Sequence, residues 1–274
     1  MDLNTVTEIA RPQTREELPA WTSGDAWLAG GTWLFSEPQA HLKRLVDLTD
    51  LKWPALTLNE SGLSIAATCT VAELDTLPCP PPWLAAPLID HCCRAFLASF
   101  KVWKSATVGG NLCLSLPAGP MIALTAALDG VCTIWKADGG ERKVSVADFV
   151  TGDRRNVLQP GDLLRQIDIP LAALTGRAAF RQISLTPQGR SAALLIGRLT
   201  DGALRLTVTA STARPMQLSF DGMPQADQLR DAILHRIPNE LYHDDVHGKP
   251  SWRKHMTLRL AEEIRAELHG AMRR

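Results

Sequence analysis

Short apolar runs with period-two alternation fill much of the chain, and helical spacing takes over towards its end. Residues 26–29, 44–48 and 62–67 read as short strands bounded by turn-forming residues. Residues 131–135 and 143–146 alternate on either side of Asp138-Gly139-Gly140, a hairpin signal, and 163–169 alternate again as far as Pro170. Residues 180–184, 192–199 and 203–210 read as three further strands, with Asp201-Gly202 turning the chain between the last two. Helical spacing places Leu84, Leu88, Cys92, Ala95, Phe96 and Phe100 on one face of a helix over 83–100, after the Pro80-Pro81-Pro82 break. Pro120 suits the first turn of a helix carrying Ile122, Leu124 and Leu128. Residues 226–237 and 252–272 predict two more helices, the latter with Leu258, Leu260, Ile264 and Leu268 on its apolar side. Thr70 and Glu73 have the spacing of a capping box, and Thr14 followed by Glu16 and Glu17 predicts a short helix. The pattern is α+β, with a boundary near residue 172 and a C-terminal piece built on a small antiparallel sheet covered by helices.

Two glycine segments interrupt these elements. One is Leu28-Ala29-Gly30-Gly31-Thr32-Trp33-Leu34, following a predicted strand, and the other is Ala106-Thr107-Val108-Gly109-Gly110-Asn111. Adjacent glycines beside Thr or Asn let the backbone approach a ligand and aim N–H groups at anionic oxygens. Convergence of the two segments would hold the diphosphate of a dinucleotide. Neither has the GxGxxG spacing of a Rossmann site nor the spacing of a P-loop. A tight turn is the simpler reading of either segment alone; the shared chemistry of the pair favours a phosphate-bearing ligand.

Composition narrows the remaining classes. Lys+Arg and Asp+Glu both number 29, so no basic surface announces a nucleic acid or an anionic membrane. No apolar run reaches the length of a membrane span, and the polar first fifteen residues lack a secretory pattern, so a cytoplasmic location is expected. The six cysteines contain no CxxC pair and predict reduced thiols, not a metal or cluster site on this chain. His243 and His247 stand four residues apart near Asp244 and Asp245, but in a polar loop, and no metal site is assigned there. His91 falls within a helix, and Ser115 and Ser184 lack the GxSxG context of a nucleophile. No catalytic residue is assigned.

The ordered motifs resemble the FAD-binding medium subunit of the molybdenum hydroxylases, the family of xanthine dehydrogenase and carbon monoxide dehydrogenase. The first segment is similar to that family's AGGT-[DS]-L motif and the second to its T-[IV]-G-G-N motif. Leu63-Ser64-Ile65-Ala66-Ala67-Thr68 with Glu73-Leu74, Asp148-Phe149 with Leu158 to Leu163, Phe180-Arg181 and Trp252-Arg253 resemble further blocks in the same order. The resemblance implies a PCMH-type FAD domain over 1–172, with α+β subdomains of about 1–56 and 57–172. A C-terminal domain over 173–274 would carry a three-stranded sheet and helices. It implies that Leu28, Ala29, Gly30, Gly31, Thr32, Trp33 and Leu34 meet the diphosphate. Ala106, Thr107, Val108, Gly109, Gly110 and Asn111 would approach the phosphates, ribityl chain and flavin, with Ser115 and Gly119 completing that side. Leu163 or Leu164 would flank the isoalloxazine, and Arg181 stands where the family often has a lysine near the flavin. [2Fe–2S] clusters and molybdopterin would belong to an iron–sulfur partner and a large partner, with NAD or another small acceptor downstream.

The chain departs from the family pattern at four places, one of them the stretch after the C-terminal strand, where Leu185 and Ser191-Ala192-Ala193 replace an R…D-x-A pattern. Leu114 replaces a histidine, Pro120 replaces the aspartate expected to bond the ribityl hydroxyls, and Trp33 follows the first glycine pair where an acid is usual. Two alternatives follow from these departures and from the fold: a scaffolding subunit that has lost its flavin, and a free-standing flavin oxidase.

Overall fold

The computed structural model describes residues 3–272. At the N-terminal end, Glu8–Ala10, Arg44–Asp47 and Asp25–Leu28 form a parallel sheet with Arg44–Asp47 in the middle. The Arg44 guanidinium clamps the Asp25 carboxylate at 2.6 and 3.0 Å, fixing the strand that leads into the first glycine segment.

A five-stranded antiparallel sheet follows in the order Leu56–Asn59, Gly62–Ala66, Leu163–Pro170, Val131–Trp135 and Glu141–Ser145. Its central strand is the long-range one: Ile167 faces Ile65 on one side and Cys132 on the other. Helices Val71–Asp75, Pro87–Ala95, Val108–Leu114 and Pro120–Ala127 share its core. Every residue of Pro120–Ala127 is buried, because this helix also packs against strands Ala193–Thr200 and Ala203–Thr209 of the C-terminal sheet. An apolar helix with no polar face is what burial on all sides requires.

The C-terminal sheet has four antiparallel strands, Arg177–Ile183, Ala193–Thr200, Ala203–Thr209 and Met216–Phe220. Three were expected. The fourth follows Pro215 and is too short and too polar on its outer face to announce itself. Asp201 and Gly202 both have positive φ, 50° and 82°, as a two-residue hairpin turn demands. Helices Ala226–Arg236 and Pro250–Met272 complete this part, the longer one lying on the sheet.

Other differences are local. Residues 14–18 form turns in place of a helix, because Glu17 bends back to accept from the Gln13 amide at 2.7 Å. The helix expected over 83–100 is confined to Pro87–Ala95, and Ser99 caps a separate short helix, Phe100–Trp103. The Thr70–Glu73 capping box forms as expected. All six thiols are free, with Cys69, Cys92, Cys93 and Cys132 buried. Burial pushes the Cys69 and Cys93 thiols up to about 12. Among the described residues, no helix is long and apolar enough to cross a membrane.

Candidate functional site

The two glycine segments meet. Strand Asp25–Leu28 delivers the chain into a turn in which Phe35 donates from its amide to the Gly31 carbonyl at 2.8 Å. Gly31 has φ +67°, where a side chain would be strained, and a Cβ there would strike the Phe35 ring. Gly30 lies so close to the other segment that a Cβ would stand 1.7 Å from the Ser105 carbonyl oxygen. Glycine at position 30 is therefore a condition of the two segments touching.

The turn leaves a run of main-chain donors open. Among the described residues, nothing accepts from the amides of Gly30, Gly31, Thr32, Trp33 or Leu34. These donors belong to residues that line a cavity of about 740 Å³, within the size range of small-molecule sites. Arg190 and His247 also line it, and among the described residues no Asp or Glu does. Unpaired donors, an arginine and the lack of any carboxylate favour an anionic ligand.

The second segment works differently from the expectation. It is not a loop but the start of helix Val108–Leu114, capped by the Thr107 hydroxyl, which accepts from the Gly110 amide at 3.0 Å. The Val108 amide donates to Cys69 O at 2.8 Å, the Gly109 amide to Ala67 O at 3.0 Å and the Asn111 amide to Thr107 O at 3.0 Å. The amides of Val108, Gly109, Gly110 and Asn111 are thus committed within the protein. This side contributes shape: Gly110 opens the wall by having no side chain. Asn111 Oδ1 accepts from the Met121 amide at 3.2 Å and so caps the neighbouring helix, Pro120–Ala127.

Of the residues singled out from sequence, Ala29, Gly30, Gly31, Thr32, Trp33 and Leu34 line the cavity from one side. Ala106, Thr107, Gly110, Asn111 and Gly119 line it from the other. Leu28, Val108, Gly109, Ser115, Leu163, Leu164 and Arg181 lie outside its lining. Leu28 ends the strand that leads to the turn. Val108 is fully buried in the core, and Gly109 presses against the Ala67 backbone. Ser115 is fully buried, its hydroxyl donating to Leu112 O at 2.7 Å. Leu163 and Leu164 are buried in two separate apolar clusters on the five-stranded sheet. Arg181 pairs with Glu263 and Glu267 of the last helix at 3.2 and 2.7 Å, so its charge is answered there.

Sequence reasoning missed the contributions from the C-terminal part and from residues 95–102. Gln188, Arg190 and His247 reach the cavity from loops far along the chain, and Phe96 and Leu97 reach it from the end of Pro87–Ala95. No local pattern marks such residues; only the packing of the two sheets through Pro120–Ala127 brings them in. The loop with His243 and His247 is organised around Asp245, which accepts from the His247 amide at 2.8 Å and pairs with Arg253. Burial opposes ionisation of Asp245, but the His247 amide and Arg253 outweigh it and hold the carboxyl below its ordinary value. Arg253 is itself buried and donates to Gly248 O, Ala192 O and Ala210 O at 2.9, 2.7 and 2.5 Å, which gives the Trp252-Arg253 pair a structural role. Among the described residues, no group of His, Cys, Asp or Glu is arranged to hold a metal ion.

Residues 5–172 match the family model described as the FAD binding domain in molybdopterin dehydrogenase. The chain belongs to this family. It is an FAD-binding chain of the molybdenum hydroxylase type, and the glycine-walled cavity lies largely within the matched span. It is similar to the caffeine dehydrogenase subunit beta of Pseudomonas sp. (strain CBB1), 32% identical over 88 residues; that stretch spans 32% of this chain and 30% of the relative. Solved structures share the fold over nearly the whole chain. Quinoline 2-oxidoreductase from Pseudomonas putida 86 superposes with a TM-score of 0.79 and 20% identity, over 99% of this chain and all of that one. Reconstituted CO dehydrogenase from Oligotropha carboxidovorans gives 0.80 and 21%, over 97% of this chain and 99% of that one.

The lining of the cavity fits FAD. The open amides of Gly30 to Leu34 suit a diphosphate, and the side chain missing at Gly110 leaves room beside it. Leu114 and Pro120 line the wall without adding a charge that would oppose the ligand.

Proposed function

We propose that this chain is the electron-transferring flavoprotein subunit of a heteromeric molybdenum hydroxylase. One observation carries the reading: a cavity between two glycine segments, rich in unpaired main-chain donors and, among the described residues, free of carboxylates. Bound FAD would supply the redox chemistry, accepting electrons and handing them on. The chain's own residues would bind and orient. Gly30 to Leu34 would donate to the diphosphate, Arg190 would add a positive charge, and Gly110 would leave room for close approach.

In this reading, electrons reach the flavin from [2Fe–2S] clusters on a partner chain, and the substrate is oxidised at molybdenum on a larger partner. The flavin then delivers them to NAD or another small acceptor. Support comes from the family match and from the relatives, one named as a beta subunit and another as a CO dehydrogenase. Purifying the tagged chain from its own cells tests it. FAD, iron, acid-labile sulfide and molybdenum should co-purify in fixed ratio, and removing this chain should leave substrate oxidation uncoupled from NAD reduction. A chain recovered alone that oxidises substrate by itself would instead be a free-standing oxidase. An intact complex in which this chain holds no flavin would make it a scaffold.

A further inference from the structure

A second cavity, of about 340 Å³, adjoins the first, and the two share Leu116, Ala118, Arg190 and His247 in their walls. Trp33 lines only the first cavity and Arg154 only the second. The Arg154 guanidinium carbon sits 5.1 Å from the centre of the Trp33 ring, a cation–π arrangement. Trp33 thus both lines the first cavity and carries a guanidinium over its ring. Arg154 is held from behind: its φ of +53° belongs to the tight turn between Val150–Gly152 and Arg155–Asn156, and its amide donates to Ser115 O at 3.0 Å. Trp33 is fixed at its own main chain, where its carbonyl accepts from the Ser36 amide and hydroxyl at 2.9 and 2.8 Å.

This pairing explains a residue that is otherwise out of place. A large aromatic at the end of a run of open amides adds nothing to phosphate binding. With a cation over its ring, a tryptophan that lines the cavity offers a preorganised π surface next to the open amides. We infer that Trp33 is the stacking platform for a ring system of the bound dinucleotide, and that Arg154 is a positioning residue that holds the indole in place. The inference rests on FAD being the ligand of this cavity. The adenine and the isoalloxazine share the chemistry that would use such a platform.

Titrations of the purified full chain with FAD, ADP and FMN separate these cases, using wild type, Trp33→Phe, Trp33→Ala and Arg154→Met. Trp33→Ala should weaken FAD binding about tenfold, the scale of one lost aromatic stack, and Trp33→Phe should restore most of it. Arg154→Met should weaken FAD binding about threefold, in keeping with a partly exposed cation–π contact. If adenine stacks, ADP binding falls in step with FAD and the fluorescence of bound flavin is unchanged. If the isoalloxazine stacks, FMN binding falls with FAD, ADP is indifferent, and the bound flavin fluoresces more brightly once the quenching indole is gone. Binding of all three ligands to Trp33→Ala within twofold of wild type would overturn the inference alone. A wild-type chain that takes up none of them would overturn the functional reading and this inference with it.

Discussion

Gly30 shows how a single position can carry both fold and site. A methyl group there meets main chain, the Ser105 carbonyl, which cannot rotate out of the way. Gly30→Ala should therefore push the two segments apart, lowering stability by about 2 kcal/mol, as overpacking at a close backbone contact does. Urea unfolding would measure that loss, and FAD affinity should fall with it; unchanged stability would mean that the contact is not tight. Asp25 makes a second residue-scale prediction. Its hydrogen bonds with Arg44 outweigh burial and hold the carboxyl below the usual aspartate range. A depressed folded-state value stabilises the protein above the unfolded value of about 4, and that contribution is lost as pH falls through the folded value. Asp25→Asn should therefore destabilise the chain at neutral pH and flatten its acid-side stability profile. A variant that melts like wild type at pH 7 would contradict this.

Elements were legible where local chemistry decides them. The Thr70 capping box, the proline-led helix at Pro120–Ala127 and the Asp201-Gly202 hairpin all stand where the sequence places them. The Val108–Leu114 helix was not legible, because its first turn contains two glycines, poor helix formers that read as a loop. Tertiary bonds to Ala67 and Cys69 override that preference. For the site, the meeting of the segments was readable, but the donor side was not: one turn has open amides, and the other is already bonded. Thr70→Ala should cost about 1 kcal/mol in thermal or urea unfolding, and Thr70→Ser should recover most of it. Equal stability of all three proteins would show that the cap contributes nothing.

Across the whole molecule, Pro120–Ala127 is the shared spine, and Asp129 just beyond it is the polar counterpart. Its carboxylate pairs with Arg198 and Arg205 on neighbouring strands of the C-terminal sheet. Arg198 is buried, so removing its partner leaves a charge without compensation, a change that costs about 3 kcal/mol in similar settings. Asp129→Ala should therefore loosen the C-terminal sheet from the flavin part and split a single urea transition into two. One cooperative transition at the wild-type midpoint would contradict this. Long-range arrangement of this kind also decides which distant loops, such as those of Arg190 and His247, complete the cavity wall.

A calorimetric titration of the purified chain with FAD asks whether a flavin sits between the two glycine segments. One FAD should bind per chain, and Gly110→Val, whose new side chain would project from the second segment, should abolish that binding while its melting temperature moves by no more than about 4 °C. No heat of binding in the wild type, or undiminished binding in a folded Gly110→Val variant, would contradict a flavin held between the two glycine segments.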